Sequence, residues 1–136
     1  MTQNANSLTY GKFSTSIQPE GKLYASAGGG EDVFQYNINK NQWYLVHMVR
    51  NGSINQYYID GDLKYQGLSG SRGSTSDSNP NFIIAARRLY DRTFDGTIDE
   101  IRISNVARST AWVKTSYYNQ IYPSKIIFVG PEETEP

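Results

Sequence analysis

Phe94-Asp95-Gly96-Thr97-Ile98-Asp99-Glu100-Ile101-Arg102-Ile103-Ser104-Asn105 decides how this chain is read. The Asp95-Gly96 pair is a turn signal, because both residues tolerate positive φ. Residues 97–103 then alternate with the period of a strand. Thr97, Asp99, Ile101 and Ile103 fall on one face, and Ile98, Glu100 and Arg102 on the other. The first face is the oilier, and Asp99 lies on it. A carboxylate among isoleucines must be hydrogen-bonded or close to a cation, since an unpaired buried charge costs several kcal/mol. Asp99 is therefore expected to be buried, with several hydrogen bonds or a metal ion.

Upstream of this stretch the same alternation recurs between turns. Residues 8–17 and 22–26 read as strands joined by Gln18-Pro19-Glu20-Gly21, and residues 32–38 come after a triple glycine at 28–30. No Lys-Ser/Thr succeeds those glycines, so they read as a loop rather than a phosphate cradle. Residues 42–50 form the best strand, apolar on both faces as in a central strand. Asn51-Gly52 predicts a type I′ hairpin into residues 54–60, and Asp60-Gly61 a second hairpin into residues 63–65. Residues 67–80 make one long Gly/Ser-rich loop, and residues 81–87 an apolar strand. Downstream, Ser109 is placed to cap a helix over 109–119 whose inward stripe is Trp112, Val113, Ser116 and Tyr117, with Trp112 and Tyr117 packed against the body. Residues 125–129 read as a last strand and 131–136 as an acidic tail or linker. The pattern predicts an all-β, antiparallel two-sheet sandwich of about eight to ten strands with one short helix near the C-terminus.

Several blocks together resemble a known family. Phe94-Asp95-Gly96-x-Ile98-Asp99-Glu100-x-Arg102-Ile103, then Asn105-x-Ala107-Arg108-Ser109 and a helix with Trp112 and Tyr117, look like the end of a laminin-G-like, concanavalin-A-like jelly roll. Trp43-Tyr44-Leu45-Val46 and Tyr58-Ile59-Asp60-Gly61 look like its middle hairpin. The resemblance spans roughly residues 20–130 and implies one jelly-roll domain over residues 1–130. It also implies an N-terminally shortened domain, because relatives carry further strands before anything like residues 8–26. In the glucanase-like branch a carboxylate on the equivalent terminal strand holds structural calcium, which would assign that ion to Asp99.

Composition narrows the function. Thirteen basic and thirteen acidic residues cancel, and no basic face points to nucleic acid. Cysteine is absent, so no disulfide reports on the compartment. No apolar run approaches the roughly 20 residues of a membrane span, and the N-terminus has no signal-peptide pattern. Glycosidases of this shape carry acid and nucleophile as alternating carboxylates on one strand. Asp60-Gly61-Asp62 has the spacing but sits in a turn, so no enzyme is expected. His47 is the sole histidine, which leaves a zinc site without ligands.

Binding is the expected activity. Sugar recognition stacks aromatic faces on pyranose rings, with amides and guanidinium groups on the hydroxyls. Tyr57, Tyr58 and Tyr90, with Asn55, Arg87 and Arg88, are the candidate ligand-binding residues. The resulting expectation is a non-catalytic laminin-G-like module of a microbial surface or secreted protein, binding glycan or protein in adhesion or substrate targeting. The alternative is a structural subunit of a virion, filament or other extracellular assembly. A shortened sandwich leaves oily strand edges, so contact with a second copy or with the rest of a larger polypeptide is also expected, with residues 125–129 as the donated strand.

Overall fold

The computed structural model describes residues 13–17, 20–27, 33–68, 84–85, 93–125 and 130. Two runs of alternation punctuated by turns form two three-stranded antiparallel meanders. The first holds β1 (Phe13–Ile17), β2 (Lys22–Ala27) and β3 (Val33–Asn37) in the order β1-β2-β3. The second holds β4 (Val46–Asn51), β5 (Ile54–Ile59) and β6 (Asp62–Leu68) in the order β4-β5-β6. A single α-helix, α1 (Thr110–Ile121), and a short 3-10 turn (Pro123–Lys125) come after them among the described residues. The fold is the expected antiparallel two-sheet sandwich with a helix near the C-terminus.

Each connection has a local cause. Asp60 and Gly61 both take positive φ, 53° and 80°, which is the type I′ geometry expected of Asp-Gly. At the other hairpin only Gly52 is positive, at 60°, with Gly52-Ser53 as the two loop residues. That is the type II′ pattern, so the expected type I′ turn is corrected there. The best strand also starts later than expected, at Val46. Ahead of it, Asn39 N–H donates to the Tyr44 hydroxyl, and Leu45 N–H donates to Asp60 Oδ1 at 2.9 Å. Leu45 C=O also accepts from Asp60 N–H at 2.9 Å, so one backbone bond extends beyond the start of β4.

β5 is the packing axis. Tyr57 and Ile59 point toward the first sheet and join Leu23, Ala25 and Phe34 in the main core, with Val46 and Met48 alongside. The Phe34 and Tyr57 rings stack with centroids 5.2 Å apart. Ordinary strand alternation turns the next tyrosine, Tyr58, to the opposite face, while the register against β6 shifts by one residue beside it. There Tyr58 packs with Val49 and Val113, a second core between this sheet and α1. Val113 and Ser116 of the expected inward stripe are buried, while Trp112 remains 38% exposed. Ser109 caps α1 as expected, its side chain accepting from Trp112 N–H at 3.2 Å.

The expected strand at 97–103 is not formed. Residues 97–104 lie outside any sheet, and no backbone hydrogen bond joins them to another described residue. Alternation sets which side chains share a face, but a strand also needs a neighbour to take its N–H and C=O groups. Ile101 and Ile103 are accordingly exposed, at 46% and 76%. The expected strand at 81–87 falls largely outside the described residues. So does the one at 125–129, of which Lys125 alone is described, in the 3-10 turn.

Candidate functional site

Of the six residues expected to bind ligand, three are described, and none of those three lies at the surface. Tyr57, Tyr58 and Asn55 are fully buried, so neither ring offers a face to a sugar. Tyr57 belongs to the intersheet core. The Tyr58 hydroxyl is engaged internally, with Thr110 Oγ1 at 2.9 Å and Gln56 Oε1 at 3.1 Å. A tyrosine pair on a strand looks from sequence as though one ring must face solvent. Here the first sheet covers one ring and α1 covers the other. Arg87, Arg88 and Tyr90 lie outside the described residues.

Asp99 is also corrected. It is exposed, and its carboxylate makes no hydrogen bond to another described residue. The face it shares with Ile101 and Ile103 points away from α1, whereas Glu100 and Arg102 point toward it. Calcium asks for roughly six to eight oxygen ligands. Among the described residues no group of three His, Cys, Asp or Glu comes together.

What the fold does assemble lies between α1 and the extended residues 100–104. Trp112, Thr115, Ser116 and Asn119 recur at i, i+3, i+4 and i+7, which sets them in one stripe along the helix. Arg102 reaches across from the facing segment, and together these residues line a half-open crevice of about 290 Å3, counting the space at its mouth. Arg102 Nε donates to Glu100 Oε1, and Nη1 approaches Ser116 Oγ at 3.4 Å. Gln120 Nε2 holds the other Glu100 oxygen at 3.3 Å. The Arg102 side chain stays 55% exposed.

The wall behind Trp112 is charged or titratable. The Arg108 guanidinium sits over the indole ring, 4.8 Å from its centroid, and His47 of β4 meets the ring edge-on at 6.2 Å. Burial holds the His47 imidazole below its ordinary pKa, and the Arg102 charge lowers it further. His47 Nδ1 is buried with no hydrogen-bond partner among the described residues. The sequence carried the helical half of this crevice in its spacing. Arg102 comes from a separate element, and no local pattern pairs it with Trp112.

Comparison with known proteins agrees with this architecture. No curated protein matches the chain. One solved structure is similar, the 2.1 Å crystal structure of residues 221–444 of an S-layer domain-containing protein from Clostridium thermocellum. It is 18% identical with a TM-score of 0.48, and the match covers 80% of this chain and 57% of that one. The chain thus spans little more than half the length of that relative. The family model Laminin_G_3 matches residues 2–114, which include all six described strands and the first turn of α1. By that match the chain belongs to the laminin-G-like family of the concanavalin A-like lectin/glucanases superfamily.

Proposed function

We propose that this protein is a non-catalytic module of a microbial surface or secreted protein, whose task is to bind glycan in adhesion or substrate targeting. Family membership over residues 2–114 supports a lectin-like module. The observation that carries the reading is the crevice beside α1, which combines an accessible tryptophan, a guanidinium and short polar side chains in one place. Among the described residues no helix is long and apolar enough to cross a membrane. A glycan array probed with the full chain tests the reading. Retention of at least one glycan class, weakened when Trp112 is replaced by leucine, is the expected outcome. A folded protein that retains none would reject it.

A second reading has its own observation. Ile98, Ile101, Ile103 and Val106 are 43%, 46%, 76% and 56% exposed along one extended segment. An apolar, unladdered segment suits a building block of a virion, filament or surface layer, where a neighbour supplies the pairing. Size-exclusion with light scattering separates the two. A concentration-independent monomer favours the binding module, and an ordered oligomer without glycan affinity favours the assembly.

A further inference from the structure

We infer that the crevice between α1 and residues 100–104 is a carboxylate-recognising subsite, and that its ligand is a uronic acid residue of an acidic glycan. The inference rests on the glycan-binding reading and specifies which sugar it concerns. Its basis is the balance of donors and acceptors. None of the five lining residues is acidic, and all can donate a hydrogen bond. The Trp112 indole N–H, the Thr115 hydroxyl and the Asn119 amide have no partner among the described residues. Arg102 commits Nε to Glu100 and only weakly commits Nη1 to Ser116, which leaves Nη2 and the outer edge of the fork for a ligand. A guanidinium presented this way matches a carboxylate with two parallel hydrogen bonds, a geometry an ammonium cannot supply.

Charge and shape point the same way. Glu100, which is not among the lining residues, is paired with Arg102. Arg108, seated on the indole ring, adds a further positive charge beside the crevice. An anion is thus favoured over a cation. A flat or ring-shaped carrier is favoured over an extended one, because Trp112, 38% exposed as a residue, contributes a flat wall to the crevice. A sugar ring bearing a carboxylate meets both demands. Its remaining hydroxyls find Thr115, Ser116 and Asn119 spaced along one helical stripe.

The test is an NMR titration of the 15N-labelled full chain with tri-galacturonate, with maltotriose and sodium acetate as controls. Tri-galacturonate should move the Trp112 indole and Asn119 side-chain signals and bind about tenfold more tightly than maltotriose. Arg102→Gln should remove that preference. Arg102→Lys, which keeps the charge without the fork, should recover only part of it. Asn119→Ala, on the exposed side of α1, should weaken binding without unfolding the protein, as far-UV circular dichroism would verify. Equal binding of maltotriose, or acetate matching tri-galacturonate, would overturn the uronate assignment. Sugars that bind but move only signals away from α1 would overturn the site and leave the glycan-binding reading standing. If no sugar binds, that reading falls as well.

Discussion

β5 and residues 97–104 carry similar patterns, yet only one is a strand. Both mix apolar and polar residues, β5 as Ile54-Asn55-Gln56-Tyr57-Tyr58-Ile59, and both come directly after a turn. β5 has a hydrogen-bonded neighbour on each edge and a covered surface on each face, the first sheet on one side and α1 on the other. Residues 97–104 have α1 against the Glu100/Arg102 face and no ladder to any described residue. Alternation therefore specifies which side chains travel together, while pairing and cover are supplied by other parts of the fold. The difference shows in burial. Tyr57, Tyr58 and Ile59 lose almost all contact with water, and Ile101 and Ile103 keep about half or more of theirs.

That contrast sets the order of expected mutational effects. Tyr57→Ala should cost the most, about 3–5 kcal/mol, since it empties the stacked aromatic centre of the core. Urea unfolding with an unchanged m-value would verify the figure. A cost under about 1 kcal/mol would mean that β5 is not the packing axis. Gly61→Ala comes next. Gly61 has φ 80°, and a Cβ there would lie 3.0 Å from Tyr117 Cβ on α1. The left-handed backbone alone costs about 1–2 kcal/mol, so a drop of at least that size is expected in the same assay. An unaffected variant would show that α1 does not rest on this turn.

Much of β5's side of the comparison was legible in the sequence. Asp60-Gly61 named its turn, Ser109 named the helix start, and the alternation of residues 33–37 with the hairpin turns on either side of residues 54–59 named the sheets. Which tyrosines stay in water was not legible. That depends on the first sheet covering Tyr57 and on α1 covering Tyr58, with Thr110, 52 residues away, accepting or donating at the Tyr58 hydroxyl. Asp99 was misread for a related reason. Its isoleucine neighbours imply burial only if something covers them, and local pattern does not encode the cover. The crevice was half-legible, through the i, i+3, i+4, i+7 spacing of Trp112, Thr115, Ser116 and Asn119, but Arg102 joins it only in three dimensions.

Smaller effects sharpen the comparison at its edges. His47 lies on the helix-covered face of the β4–β6 sheet, and its folded pKa is below the unfolded value near 6.5. The unfolded chain therefore binds the proton more readily. Stability from this group is complete above that value and declines as pH falls through it toward the folded pKa. Thermal melts should show a lower Tm at about pH 5.5 than at about pH 7.5, and His47→Gln should flatten the difference. An identical slope in the variant would remove His47 as the cause. The smallest effects belong to the unladdered segment. Ile103→Ala and Asp99→Ala should each change stability by no more than about 0.5 kcal/mol, as at other exposed positions. A loss of about 2 kcal/mol or more at either, on the order seen for core truncations, would mean that the segment is covered in solution.

Amide hydrogen exchange on the full chain tests the central contrast most directly. The Tyr57, Tyr58 and Ile59 amides should exchange only through global unfolding, as the slowest in the protein. Amides of residues 97–104 should exchange at rates near those of an unstructured peptide. Protection of residues 97–104 equal to that of β5 would contradict the account, because it would show the stretch paired as a strand.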